Sequence, residues 1–357
     1  MEKGEGCPEE VLRRFPTYPE IREYVLRVGR EPITLSRSVG RRALVRDIIK
    51  IDRVSEYLAR NVLGPLRSLS NVLSVEFYRQ LASNVLPEGA NVLDLVGRAS
   101  GMFRAALRLS REYKSRIAVS VDSVEAKELY REYVGRILSI VRRSFRDLEQ
   151  LNRAVAELRR TPCVDPSIPV VAVAGLPQVG KSTLVSAVST AKPRTSPFPF
   201  TTKEIVMGHV ELGPLRFQIL DLPGILDRPP EEMNEIERRA FIAVTSLADL
   251  VLFLVDPSED FYYGLESQLR LLRSLREWVR VDVVVAINKV DKVGEERVDV
   301  VSKSIAATLP GARILRISAL KRAGLGELLR TLAEHLGLSW TGVLPEGVEP
   351  EDQHRDG

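Results

Sequence analysis

Two hydrophobic patterns divide the chain near residue 160. Before this point, apolar residues recur at steps of three and four, the spacing of one face of an α-helix. Similar spacing covers roughly residues 36–64 and 92–118, with a break at residues 86–89. Arginines occupy much of the opposite face of the longest run. The apolar residues of that run are Val134, Ile137, Val141, Phe145, Leu148, Leu151, Val155 and Leu158. We therefore predict an α-helical bundle or hairpin over residues 1–160.

The pattern changes after residues 161–168, where Pro162 and Pro166 predict a helix stop and a linker. Short apolar runs then alternate with helical segments, as in the buried strands of a mostly parallel sheet. The runs are Val170–Ala174, Phe217–Leu220, Leu250–Val255, Val283–Ile287 and Ile314–Ile317. We predict a six-stranded α/β domain over residues 169–340. Residues 341–357 are polar and acidic without periodicity, and we expect a disordered tail there.

Charge is distributed unevenly between the two halves. Residues 1–168 carry 30 Lys and Arg against 22 Asp and Glu, whereas residues 169–357 carry 22 against 26. The first half is thus +8 and the second −4, and 26 of the 30 cations in the first half are arginine. Arginine suits bidentate phosphate contacts and stacking on bases, so an RNA-facing helical domain is one interpretation. A solvated helix face is the other.

Cysteine use and hydropathy bear on location. Cys7 and Cys163 lie far apart and form no C-x-x-C pair, which argues against a disulfide framework or a zinc site. No stretch approaches the roughly 20 apolar residues that span a bilayer. We therefore expect a reduced, cytoplasmic protein with no membrane partner.

A phosphate-binding motif follows the first apolar run directly. The string from Gly175 to Ser182 matches GxxxxGK[ST] and leads into a helical segment. Glycines let the loop bend so that successive N–H groups point at a phosphate, and the helix N-terminus adds a favourable dipole. Lys181 would bridge the β- and γ-phosphates, and Ser182 would bind Mg²⁺.

Three further motifs stand at strand ends, where open α/β sheets bind ligands. Asp221-Leu-Pro-Gly224 would bring a carboxylate near the metal and a glycine N–H near the γ-phosphate. In Asn288-Lys289-Val290-Asp291, the aspartate could accept hydrogen bonds from guanine N1–H and the exocyclic amine, a pair of donors that adenine lacks. In Ser318-Ala319-Leu320, the Ala319 N–H could donate to guanine O6.

A threonine between the phosphate loop and Asp221 would complete the site. Within Pro199–Lys203, a hydroxyl could bind Mg²⁺ while the backbone N–H senses the γ-phosphate, which closes the segment only with GTP. Thr201 and Thr202 both remain candidates, and we favour Thr202.

These motifs define the predicted site residues. The catalytic residues are Lys181, Thr202 and Gly224, and the Mg²⁺ ligands are Ser182, Thr202 and Asp221. The GTP-binding residues are Gly175, Leu176, Pro177, Gln178, Val179, Gly180, Lys181, Ser182, Thr183, Asp221, Gly224, Asn288, Lys289, Asp291, Ser318, Ala319 and Leu320.

The same strings resemble the nucleolar GTP-binding protein family, in the Obg-related branch of translation-factor-like GTPases. The matching segments are 175–182, 199–203, 221–229, 234–237, 256–259 and 263–268, with a further likeness through 158–165 and the helical region. The resemblance implies a role in assembly of the large ribosomal subunit, with the helical domain on ribosomal RNA or a precursor particle and no DNA partner. The long C-terminal extension of nucleolar members is absent, so we expect a compact, archaeal-type member.

Two positions modify what the resemblance implies, and one alternative stays open. Ile225 follows Gly224, where many small GTPases place a glutamine that orients water, so intrinsic hydrolysis should be slow. Gln178 replaces the asparagine with which related GTPases hold potassium. Because glutamine is longer, this exchange argues against potassium as a second cofactor without excluding it.

The alternative function is a regulatory GTPase whose helical domain binds a protein and no RNA.

Overall fold

The chain folds into two compact units, Met1–Arg159 and Arg160–Gly357. The computed structural model describes residues 8–36, 40–87, 89–161, 163–165, 167–197, 204–221, 226–227, 230–234, 237–238, 241–242 and 245–342. The predicted tail lies outside the described residues from residue 343 onward. None of the described helices is long and apolar enough to cross a membrane.

The first unit is helical, as predicted. Its helices are α1 (Pro8–Val11), α2 (Tyr18–Arg30), α3 (Arg42–Leu58), α4 (Gly64–Val72), α5 (Glu76–Asn84), α6 (Val92–Val119) and α7 (Ser123–Leu158). Side-chain caps set several of the starts: Asn91 accepts from the Leu93 N–H, and Asp122 accepts from the Val124 and Glu125 N–H groups. Such caps satisfy backbone donors that the first helical turn leaves without partners.

The hairpin of α6 and α7 provides much of the core of this unit. Tyr113 and Tyr133 are fully buried between helices, with ring centroids 5.8 Å apart. The Tyr133 hydroxyl lies 3.1 Å from Ser110 Oγ, so its polar atom has a partner inside the core. Two arginine–carboxylate ion pairs also join the helices, Arg98 to Asp147 at 3.2 Å and Arg116 to Glu132 at 3.8 Å. The long hairpin is thus held by both apolar and polar contacts.

A π-helical turn, Ala59–Leu63, joins α3 to α4. Pro65 in the first turn of α4 has no backbone N–H to donate to the preceding turn. The Gly64 N–H instead reaches back to the Ala59 carbonyl oxygen. The proline therefore accounts for the local widening of the helix.

The second unit is built on one seven-stranded sheet in the order β2-β3-β4-β1-β5-β6-β7. The strands are β1 (Val170–Ala174), β2 (Arg194–Pro197), β3 (Glu204–Leu212), β4 (Leu215–Asp221), β5 (Leu250–Val255), β6 (Asp282–Ile287) and β7 (Ile314–Arg316). The β2–β3 and β3–β4 pairs are antiparallel and the others parallel. Helices α8 (Lys181–Val188), α9 (Gly264–Trp278), α10 (Glu295–Thr308) and α11 (Leu325–His335) belong to this unit.

The predicted fold class is confirmed, but the predicted strand number of six is wrong. The edge strand β2 reads Arg-Thr-Ser-Pro and contains no apolar run. An edge strand needs no buried face of its own, and charge and proline are common there. A search for apolar runs therefore misses this strand.

The predicted state of the two cysteines involves Cys7, which lies outside the described residues, so it stays a prediction.

Candidate nucleotide-binding site

The loop between β1 and α8 carries the predicted phosphate-binding motif. Gly175 and Gly180 have φ angles of +140° and +101°, values that residues with a Cβ rarely adopt. A Cβ on Gly175 would lie 2.7 Å from the Leu254 carbonyl oxygen, and one on Gly180 would overlap the Asn288 amide. The packing of the loop against its neighbours therefore requires both glycines, whatever the loop binds.

Lys181 is held over the loop that precedes it. Its ammonium group donates to the carbonyl oxygens of Gly175, at 2.8 Å, and Leu176, at 3.2 Å. Burial lowers the pKa of this lysine, and the nearby carboxylates of Asp221 and Asp227 oppose that shift. A buried cation against a loop of backbone groups is suited to binding an anion.

Ser182 and Asp221 meet beside Lys181. The Ser182 hydroxyl donates to Asp221 Oδ2 at 2.7 Å, across 39 residues of sequence. The other carboxylate oxygen, Oδ1, is buried and has no hydrogen-bond partner among the residues that the structure describes. Burial raises the pKa of Asp221, while the hydrogen bond from Ser182 and the charge of Lys181 lower it. A buried carboxylate oxygen without a partner is costly unless a ligand satisfies it.

This donor set fits a magnesium ion. Mg²⁺ prefers hard oxygen ligands and is usually bound by one or two protein groups together with phosphate oxygens. The orphaned Oδ1 of Asp221 is an oxygen of this kind. The Ser182 hydroxyl, which donates to the other carboxylate oxygen Oδ2, is a second one. The third predicted ligand, Thr202, and the catalytic Gly224 lie outside the described residues.

Asn288 connects three of the predicted motifs. Its side-chain amide donates to the Val179 carbonyl oxygen at 2.8 Å, and its side-chain oxygen accepts from the Ala319 N–H at 2.9 Å. The residue is 2% exposed. The phosphate loop, the Asn288–Asp291 segment and the Ser318–Leu320 segment are therefore fixed to one another. The Ala319 N–H, predicted to donate to guanine O6, here has Asn288 as its acceptor.

The predicted guanine contacts beyond Asn288 lie at the surface. Asp291 is exposed in a short 3-10 turn, Val290–Lys292, and its carboxylate contacts no described residue. Leu320 is 71% exposed, whereas Ser318 is buried and its hydroxyl accepts from the Lys321 N–H at 3.1 Å. An exposed carboxylate beside an ordered loop is accessible to a ligand base.

The other predicted binding residues contribute mainly backbone. The side chains of Leu176 and Val179 are buried, so only their main-chain atoms can face a ligand. Gln178 is exposed with φ of +69°, and Thr183 is exposed in the first turn of α8. Pro177, directly before Gln178, is partly exposed.

Sequence reasoning missed Asp256 as a site residue. It follows β5 directly, is 2% exposed and forms an ion pair of 2.6 Å with Lys289. Its position after a buried strand was the available signal, because Asp221 ends β4 and Asn288 follows β6 in the same way.

Comparison with known proteins finds two family models. Residues 25–165 match the NOG1 N-terminal helical domain, and residues 170–289 match a 50S ribosome-binding GTPase. An uncharacterised protein of Methanocaldococcus jannaschii is 37% identical over 58% of this chain and 59% of its own length. Nucleolar GTP-binding protein 1 of Candida glabrata is 32% identical over 77% of this chain and 45% of its own. The protein of that name from Saccharomyces cerevisiae is 29% identical, covering 82% and 48%.

These relatives set two limits. The chain spans about half the length of the curated relatives it matches. Their names point to a nucleolar rather than a cytoplasmic location, so the cytoplasmic location expected from the sequence is wrong.

Proposed function

Because the chain belongs to the nucleolar GTP-binding protein family, we propose that it is a GTP-hydrolysing switch acting in assembly of the large ribosomal subunit. The pair of hydrogen bonds made by the Asn288 side chain is the observation that supports nucleotide binding. It holds the phosphate loop and both predicted guanine segments in one arrangement. Preorganisation of this kind reduces the entropy that binding must overcome.

The chemistry follows from the positions of the charged groups. Lys181 binds the β- and γ-phosphates, and the Asp221 carboxylate with the Ser182 hydroxyl holds Mg²⁺. When bound, the ion neutralises charge on the phosphate oxygens. We also propose, from sequence position, that Thr202 completes the metal site and that the Gly224 N–H contacts the γ-phosphate. Ile225 cannot orient water, so the intrinsic rate is slow.

The ribosomal part of the proposal draws on the descriptions of related proteins and on the charge of the helical unit. One matching model describes a 50S ribosome-binding GTPase, and several relatives are named nucleolar. The helical unit supplies the complementary surface, because the excess of positive charge lies in its sequence. Ribosomal RNA or a precursor particle is therefore the partner that we propose for it.

Exposed arginines follow the outer faces of α6 and α7. On α6, Arg104, Arg108 and Arg111 are spaced four and three residues apart; on α7, Arg131, Arg142 and Arg146 are spaced eleven and four residues apart. These spacings keep each set on one side of its helix. None of the six forms an ion pair with a residue that the structure describes. We refer to these six residues as the hairpin arginines.

Carboxylate-paired arginines would instead favour a protein partner, and some are present. Arg98 pairs with Asp147, and Arg136 pairs with Glu132 at 2.8 Å. The hairpin arginines lack such partners within the described residues, so their charge remains available for phosphate. The distribution therefore favours RNA over the regulatory alternative.

Binding of the full chain to large-subunit ribosomal RNA at several salt concentrations tests this proposal. Each phosphate contact should contribute about 0.7 to 0.9 to the slope of log affinity against log salt. Changing Arg142, Arg143 and Arg146 to Glu should weaken binding and flatten that slope. The matched control changes Arg270, Arg273 and Arg276 to Glu, three exposed arginines of α9. RNA binding that falls equally in both triple variants, or in neither, would favour the protein-partner alternative.

A further inference from the structure

Asp256 lies outside the four nucleotide-binding motifs but contacts one of them. Its carboxylate Oδ2 accepts from the Lys289 ammonium group at 2.6 Å. The same ammonium donates to the Gln178 carbonyl oxygen at 2.7 Å. Lys289, which belongs to the Asn288–Asp291 segment, therefore joins the end of β5 to the phosphate loop.

The backbone of Asp256 is held independently of its side chain. Gln268 of α9 is fully buried, and its amide both accepts from the Asp256 N–H at 2.8 Å and donates to the Asp256 carbonyl at 2.9 Å. The Ser258 N–H donates to Asp256 Oδ1 at 3.0 Å. These three bonds fix the carboxylate and leave Oδ2 directed at Lys289.

The carboxylate is ionised at neutral pH. Burial raises the pKa of Asp256, but the hydrogen bonds from Lys289 and Ser258 outweigh burial and hold it below its ordinary value. A free lysine side chain loses rotamer entropy on each productive contact. An ion pair with a fixed, buried carboxylate restricts the lysine and so reduces that loss.

We propose that Asp256 is a positioning residue of the nucleotide site. It holds Lys289 on the Gln178 carbonyl and so keeps the phosphate loop and the guanine segment in register. The proposal rests on the proposed function, because its effect is measured as guanine-nucleotide affinity. The competing explanation is that Asp256 only shapes its own loop through the bond to Ser258.

A double-mutant cycle separates these explanations. Asp256→Asn keeps an oxygen that accepts from Ser258 but loses the charge opposite Lys289, and GDP binding measured by calorimetry should weaken about tenfold. In the Lys289→Met background the same change should alter affinity less than about twofold, because the group through which Asp256 acts is gone. Equal weakening in both backgrounds would show that Asp256 only shapes its loop and would overturn the proposal.

Two more variants complete the experiment. Asp260→Asn removes an exposed charge from the same loop and should leave GDP affinity unchanged. Asp256→Glu retains the charge and should restore affinity to within about threefold of wild type, since the lysine stem is flexible. A Glu variant as weak as the Asn variant, or wild-type affinity in the Asn variant, overturns the proposal. If the wild-type chain binds no GDP, the proposed function fails first and this inference fails with it.

Discussion

At the residue scale, the exposed carboxylate of Asp291 should determine base preference. Guanine offers it two donors, N1–H and the exocyclic amine, whereas adenine offers no such pair. Calorimetry should therefore show that GTP and GDP bind, and that the affinity for ATP is at least about a hundredfold lower. A loss of this size is expected when polar groups of a binding site lose their hydrogen-bond partners. Asp291→Asn should shift preference toward xanthine nucleotides, whose C2 carbonyl needs a donor. An unchanged preference would move the guanine site elsewhere.

Lys181 and Ser182 should be needed for nucleotide but not for folding. Among the described residues, the Lys181 ammonium group donates to two loop carbonyls and the Ser182 hydroxyl donates to the Asp221 carboxylate. Lys181→Ala or Ser182→Ala should therefore abolish measurable GTP·Mg²⁺ binding while the thermal unfolding midpoint stays close to wild type. Ser186→Ala, at an exposed position of α8 outside the predicted site, is the control for general disruption of the helix. Hydrolysis that persists in either of the first two variants would remove the roles given to these side chains.

The candidate site residues were predicted from sequence, but the hydrogen bonds that connect them were not. The strings predicted which loops would hold phosphate and base. The Asn288 bond to Val179 spans 109 residues and the Lys289 bond to Asp256 spans 33. Such side-chain hydrogen bonds leave no periodic signal in the sequence. They depend on the order of the strands in the sheet, which determines which strand termini lie next to each other. The sequence placed Asp256 after a strand without indicating what it contacts.

At the scale of elements, α2 begins with a capping box that should make stability pH-dependent. Glu20 accepts from the Thr17 N–H at 2.6 Å and from Arg14 at 2.6 Å. Arg14, followed by the Thr17 backbone, lowers the pKa of Glu20 to about 2. A lowered pKa stabilises the fold above the unfolded value of about 4.3, and this contribution is lost as pH falls toward 2.

Glu20→Gln should therefore destabilise the chain by up to about 1 kcal/mol at pH 7, because glutamine can still cap the helix but loses the charge that pairs with Arg14. The difference from wild type should shrink at pH 3, since wild type is then losing the same contribution. Urea unfolding followed by helical circular dichroism at both pH values measures this. Glu23→Gln, exposed on the same helix, should stay within about 0.5 kcal/mol of wild type. A pH-independent difference for Glu20→Gln would contradict the mechanism.

Elements with a strong hydrophobic signal were predicted closely, and those without one were not. The apolar runs gave β1 and β5 at their observed bounds, because both strands are buried along their whole length. The polar strand β2 pairs through its backbone with β3 and was missed. The alternating burial of β3 differs from the continuous burial of the central strands, which is why apolar runs did not mark it either.

At the scale of the whole molecule, the proposed function links binding by the helical unit to hydrolysis in the GTPase unit. The proposed link is a large-subunit particle that both units contact. Intrinsic hydrolysis should be slow, because Ile225 carries no polar group for water, and Ile225→Ala should change the single-turnover rate little. Large-subunit particles should raise that rate if they supply or order the missing group. Fast hydrolysis by the isolated chain would contradict the first step.

The variant with Arg142, Arg143 and Arg146 changed to Glu tests whether this stimulation passes through the helical unit. Its intrinsic rate and GTP affinity should match wild type, because these arginines belong to α7 and not to the nucleotide site. Its stimulation should need a higher particle concentration, and more so as salt increases, since the lost contacts are electrostatic. The α9 variant with Arg270, Arg273 and Arg276 changed to Glu carries the same charge change and should be stimulated like wild type. If the α7 variant also responds like wild type across the particle titration, activation does not depend on those arginines, and the coupling proposed between RNA binding and hydrolysis is wrong.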